Sequence, residues 1–179
     1  MKGSRVARRY ARALLDLADK STEENWGAEL QRLAAIVESP ELIERLASPE
    51  LSERTRQEAI AKIAERLNLS FQVRSFATVI ARHGRIRDFG AIAESYRELL
   101  DQAMGRARAT LTFAVQPSDH EVKRVVGGLE SIAKLKIIPT VKVDAALLGG
   151  VTAELGGKIY DGSLATRLDE AKRRLAGQA

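Results

Sequence analysis

The chain has 179 residues, with 29 Lys and Arg against 24 Asp and Glu, a formal charge of +5 and no cysteine. Disulfides and thiol chemistry are therefore excluded, and a reducing compartment is compatible with the composition. The pI near 9.7 admits nucleic acid or an anionic surface as partner, yet aromatic residues are only 4% of the chain, which supplies base stacking poorly. No apolar run approaches the roughly 18 residues of a membrane span, and the N-terminus lacks the long apolar segment of a secretory signal. The expectation is a soluble chain, able to sit on a membrane complex.

The spacing predicts a first helix from Ser4 to about Lys20. Val6, Tyr10, Ala13, Leu14 and Leu17 form one apolar stripe, and Arg5, Arg8, Arg9 and Arg12 form a basic row opposite. Cations in the first turns oppose the helix dipole, which favours acids there by about 0.3–1 kcal/mol each. Two readings stay open for this row: a solvated face, or a surface for an acidic partner.

Ser21-x-x-Glu24 reads as a capping box opening a second helix on Trp26, Leu30, Leu33 and Val37. Ser39-Pro40-Glu41 starts a short third helix, with proline at the first helical position, and Ser48-Pro49 breaks it. A fourth helix from about Ser52 to Arg66 carries Ile60, Ile63, Ala64 and Leu67, and Asn68 stops it. The fifth, about Ser70 to His83, is apolar on more than one stripe: Val73, Phe76, Ala77 and Ile80, with Phe71 and Val79 displaced. Such a helix is either central or has its outer face covered by something else. Gly84 suits a left-handed cap. The sixth, from Asp88 to Met104, uses Phe89, Ile92, Tyr96, Leu99 and Ala103.

After Gly105 the pattern changes to period two, so a domain boundary is expected near residue 105. A strand over 106–115 leads to a second capping box, Ser118-x-x-Glu121, and a helix on Val122, Val125, Val126, Leu129 and Ile132. Gly127-Gly128 inside that helix costs about 1 kcal/mol per glycine relative to alanine, which predicts a short, bent or closely packed element. A strand over Thr140–Asp144 follows. Gly149-Gly150 then bend the chain into a hairpin turning at Gly156-Gly157, and Asp161-Gly162-Ser163 opens a final helix on Leu164, Leu168, Ala171 and Leu175. The fold class is mainly α: an N-terminal six-helix bundle over 1–105, then a small α/β domain over 106–179 containing a β-hairpin and helices. A second part of only about 75 residues supports a few kcal/mol of stability, so it is expected to be mobile or partner-dependent.

Catalytic chemistry is sparse. His83 and His120 fall at predicted helix ends away from other titratable clusters, and each reads as a surface or capping residue. Asp161 and Ser163 lack a histidine in register, so helix capping is the stronger reading. Gly156-Gly157-Lys158 fails as a phosphate loop, because Thr152 stands where the first glycine is required and Ile159 follows the lysine. No catalytic site, cofactor, metal or direct small-molecule ligand is expected.

The tail, Leu147-Leu148-Gly149-Gly150 followed by Gly157-Lys158-Ile159-Tyr160-Asp161-Gly162-Ser163 and Leu168, resembles the C-terminal signature of the delta (OSCP) family of F-type ATP synthase. Val6-Ala7-Arg8-Arg9-Tyr10-Ala11-Arg12-Ala13-Leu14 is similar to that family's opening helix, with its recurrent Tyr-Ala-x-Ala. The helix count, Arg85 and the boundary near Gly105 match the family layout, whereas Gly156-Gly157 stands where the family often has Gly-Asp.

The resemblance implies a non-catalytic peripheral-stalk subunit, part of the stator of proton-driven rotary synthesis. It would join the catalytic α/β crown to the b subunits at the cytoplasmic face of a bacterial inner membrane, touching that membrane only through the complex. It also implies that the N-terminal segment of an α subunit lies as a helix between the first and fifth helices. Tyr10, Leu14, Phe76 and Val79 would line that groove, with Arg8 or Arg12 at its rim. Gly149, Gly150, Asp161 and Gly162 would shape the surface met by the b subunits. A basic helical adaptor for nucleic acid is the alternative; the interleaved acids and the missing aromatic platform weigh against it.

Overall fold

The computed structural model describes residues 5–147 and 149–162 of a mainly helical chain with a small four-stranded mixed sheet. It divides into two compact units, Met1–Leu100 and Asp101–Ala179.

The first unit contains α1 (Arg5–Leu15), α2 (Glu23–Val37), α3 (Pro40–Leu46), α4 (Glu53–Arg66), α5 (Phe71–Arg82), a single 3₁₀ turn at Ile86–Asp88 and most of α6 (Phe89–Ala103). Each helix turns its apolar stripe to one core. Ala7, Ala11 and Leu14 of α1 meet Leu30 and Leu33 of α2, Ile60 of α4, Val73 and Ile80 of α5, and Phe89, Ile92 and Tyr96 of α6. Proline stands at the start of α3 as its sequence predicts, and the Ser52 hydroxyl caps α4 by accepting from the Thr55 N–H at 3.1 Å. Asn68 stops α4 in the left-handed region at φ 50°.

Two sequence expectations fail here for local reasons. Helix α1 ends at Leu15, because Leu17 N–H and Ala18 N–H bond back three residues, to Leu14 and Leu15, and tighten the last turn. Leu17, expected in the stripe, is 74% exposed. The box at Ser21 is also displaced: Thr22 is the N-cap of α2. The Thr22 hydroxyl is already engaged with Asp19, accepting from its N–H and donating to its carbonyl, both at 3.1 Å.

In the second unit β1 (Arg106–Phe113), α7 (Asp119–Ala133) and β2 (Lys136–Val143) form a parallel crossover, and β3 (Val151–Leu155) and β4 (Lys158–Asp161) form the hairpin. Strand order is β2-β1-β3-β4, with β3 antiparallel to both its neighbours. The predicted second strand is longer than expected, starting at Lys136 instead of Thr140, since its ladder with β1 runs from Arg106↔Lys136 to Phe113↔Val143. Gly156 and Gly157, at φ 59° and 79°, make the two-residue turn that the hairpin needs. The capping box at Ser118 and Glu121 forms in both directions.

Helix α7 runs unbroken through Gly127-Gly128, and among the described residues no atom outside the helix's own nearby backbone lies within 4 Å of where a Cβ would stand at either glycine, so neither shortening nor close packing against the described residues explains the pair. Burial of Leu129 and partial burial of Val122, Val125 and Val126 against the sheet hold the helix instead. Asp161 ends β4 opposite Thr152, and the Gly162 N–H continues the ladder to the Val151 carbonyl at 2.9 Å. Ser163 and the expected final helix on Leu164, Leu168, Ala171 and Leu175 lie outside the described residues.

Candidate functional site

Between α1 and α5 an aromatic cluster reaches the surface. Tyr10 meets Phe76 edge-on, with ring centroids 6.4 Å apart and planes at 67°, and meets His83 at 6.5 Å and 62°. The Arg9 guanidinium carbon lies 6.0 Å from the Tyr10 ring centroid, at the edge of cation–π range. His83 Nδ1 is 2.8 Å from the Val79 carbonyl oxygen; because a carbonyl only accepts, that nitrogen carries the proton. His83 is therefore a helix-end capping residue, as its sequence position predicts, and it also extends the cluster. Its i+7 spacing from Phe76 and i+4 from Val79 is the sequence signal that puts it on their face.

The four residues expected to line the groove divide by burial. Tyr10 and Phe76 are half-buried and packed against the core, and Val79 is 44% exposed. Leu14 corrects the expectation: at 2% exposure it belongs to the core, because it continues the Ala7–Ala11 side of α1 rather than the Tyr10 side. Phe71, at the start of α5, is 71% exposed. Arg5, Arg8, Arg9 and Arg12 are exposed, and among the described residues none of them forms an ion pair. The surface thus presents apolar and aromatic groups, with Arg9 beside Tyr10. Such a patch suits a peptide with apolar anchors and acidic flanks.

In the second unit Gly149 and Gly150 adopt φ 145° and 87° in the bend before β3, a region that side chains other than glycine enter with strain. Asp161 is exposed at the end of β4. A Cβ on Gly162 would come 3.2 Å from the Val151 carbonyl oxygen, so a larger residue would press on the ladder.

Buried polar groups elsewhere serve the fold. The Tyr96 hydroxyl donates to the Glu23 carbonyl at 2.9 Å, and burial, with Glu23 nearby, pushes it up to about 12. Asp101 receives Arg106 Nε at 2.7 Å and Arg108 Nε at 2.6 Å, joining the end of α6 to β1. Among the described residues no group of three or more His, Cys, Asp or Glu could hold a metal ion, and no helix is long and apolar enough to cross a membrane.

Comparison with known proteins finds matches over nearly the whole chain. Residues 6–175 match the ATP synthase delta (OSCP) subunit family. The chain is 37% identical to an ATP synthase subunit delta of Anaeromyxobacter sp. (strain Fw109-5), covering 95% of this chain and 96% of that one. It is 34% identical to its namesake from Geobacter metallireducens, over 94% and 95% of the two chains. In fold it resembles a chain of the Toxoplasma gondii mitochondrial ATP synthase hexamer, with a TM-score of 0.65, 20% identity and coverage of 97% of this chain and 98% of that one. With a family match spanning both units and relatives this similar over nearly their full length, the chain belongs to the ATP synthase delta (OSCP) subunit family.

Proposed function

We propose that this chain is a non-catalytic peripheral-stalk subunit of an F-type ATP synthase, holding the catalytic α/β crown to the b subunits while the rotor turns. The observation that carries the reading is the family match over residues 6–175, which spans both units. Helices α1–α6 act as a six-helix bundle that takes the N-terminal segment of an α subunit along α1 and α5. Tyr10, Phe76 and Val79 supply the apolar contacts, and Arg8 and Arg12 supply the polar rim. The second unit, shaped by Gly149, Gly150, Asp161 and Gly162, meets the b subunits. The chain reaches the cytoplasmic face of a bacterial membrane through this complex.

The mechanical demand is slow dissociation, since release of the crown would let it turn with the rotor. A nanomolar constant corresponds to about −12 kcal/mol, which a helix in a groove reaches when a few apolar anchors are fully buried. The test is to titrate the purified chain with a peptide copying the α-subunit N-terminus of the same organism, reading heat and the fluorescence of the single tryptophan, Trp26. Saturable binding is expected. The absence of both heat and fluorescence change at micromolar peptide would refute the α1–α5 assignment.

A further inference from the structure

A strand with a neighbour on one side only presents a row of unpaired N–H and C=O groups, a ready template for a second chain. The order β2-β1-β3-β4 puts β2 in that position: among the described residues it pairs with β1 and with no other strand. Backbone polar groups alternate in direction along a strand. The Lys136 N–H donates to the Gly105 carbonyl at 3.2 Å, and the Asp144 N–H donates to the Phe113 carbonyl at 2.9 Å. The even positions of β2 therefore face β1, and the odd ones, Ile137, Pro139, Val141 and Val143, face outward. Val141 and Val143 are 38% and 49% exposed, which adds apolar side chains to the open edge.

We propose that Glu130, Pro139 and Lys142 together close this edge to a second copy of the chain, with the Glu130 carboxylate as an autoinhibitory plug. Pro139 divides the edge, because it offers no N–H and its ring stands where a further strand would have to approach. Before it lies one outward donor, the Ile137 N–H, and Glu130 in the last turn of α7 accepts that bond at 2.9 Å. A charged acceptor makes this bond stronger than one to a neutral carbonyl, so an incoming strand does not readily displace it. After Pro139 lie the outward donors of Val141 and Val143. Two copies related by a two-fold axis meet antiparallel, and only outward residues exchange bonds. The register that pairs Val141 with Val143 of the other copy without crossing Pro139 is centred on Lys142. It sets the exposed Lys142 directly opposite its own equivalent, where like charges repel. The consequence is a chain that stays single where an open apolar edge would pair.

The test compares full-length chains by sedimentation equilibrium into the high micromolar range. Wild type is expected to remain monomeric. Glu130→Ala combined with Pro139→Val and Lys142→Thr is expected to dimerise, with a constant about tenfold or more tighter than any wild-type association. Adding Val141→Pro to that triple variant removes an outward donor without touching a bond to β1, and should return it to monomer. A triple variant that folds and stays monomeric, association that survives Val141→Pro, or wild-type dimers that Val141→Pro dissolves would each overturn the proposal. Single variants test the plug even where the triple variant fails to fold. Amide exchange at Ile137 should speed about tenfold in Glu130→Ala and stay near wild type in Glu130→Gln, which keeps an acceptor oxygen, while Ile138, facing β1, is unchanged in both. Exchange at Ile137 that does not respond to Glu130→Ala contradicts the plug.

Discussion

Glu29 of α2 binds Ser70, 41 positions away at the start of α5, through one carboxylate oxygen that accepts from the Ser70 N–H at 2.9 Å and its hydroxyl at 2.7 Å. Its other oxygen accepts from Asn25 Nδ2 at 2.9 Å, and the residue is only 4% exposed. Ser70 thus spends its hydroxyl on α2 instead of capping its own helix, and the carboxylate stands where anions favour a helix N-terminus.

Glu29→Ala is expected to cost about 1–3 kcal/mol, because it leaves partly buried donors at Ser70 without a partner. The check is a thermal melt, where each kcal/mol lowers Tm by about 4–8 °C in a domain of this size. An unchanged Tm would show that water replaces the carboxylate at no cost.

Leu14 and Val79, both expected at the groove, should separate cleanly. Leu14→Ala removes a core side chain and is predicted to cost about 2–5 kcal/mol. Val79→Asp, at an exposed position, should leave stability within about 0.5 kcal/mol yet weaken α-peptide binding by about 2 kcal/mol or more. Melts and calorimetry on both variants check this, and wild-type binding by Val79→Asp would remove Val79 from the site.

Tyr96 sets an alkaline limit. Its ordinary value of 10.0 is raised to about 12 in the fold, so the folded state keeps a proton that the unfolded chain gives up. Its contribution is complete below pH 10 and is lost as pH rises toward 12, at about 1.4 kcal/mol per pH unit. Tyr96→Phe should lose about 1 kcal/mol at neutral pH with the bond to Glu23, and should flatten that alkaline decline. Urea melts between pH 8 and 11.5 on both proteins decide it; parallel declines would contradict the assignment to Tyr96.

Gly150, at φ 87°, should tolerate no side chain without strain of about 1 kcal/mol or more. Gly150→Asp is predicted to weaken association with the b subunits while the first unit keeps its melting transition. Unaltered b binding by sedimentation would release this glycine from the docking surface.

Helix positions were legible in the sequence because each carries its own punctuation: Pro40 at the start of α3, Asn68 after α4, the Ser118 and Glu121 box before α7. What stayed hidden depends on long-range pairing. The pairing of Asp161 with Thr152 and the bond from Gly162 N–H to the Val151 carbonyl cannot be read from that stretch alone. Leu14 and Tyr10 share an apolar stripe, and only the packing of α1 decides that one enters the core and the other reaches Phe76. Ser70 looks like a cap until Glu29 arrives from another helix.

The central claim is that one chain bridges two partners, and the most direct measurement mixes the purified crown, a soluble b-subunit fragment and this chain, then sediments the mixture. Crown and b fragment are expected to co-sediment only when the chain is present, and Val79→Asp is expected to abolish the bridge while the chain still binds b. Co-sedimentation of crown and b fragment without the chain, or a chain that binds neither, would contradict it.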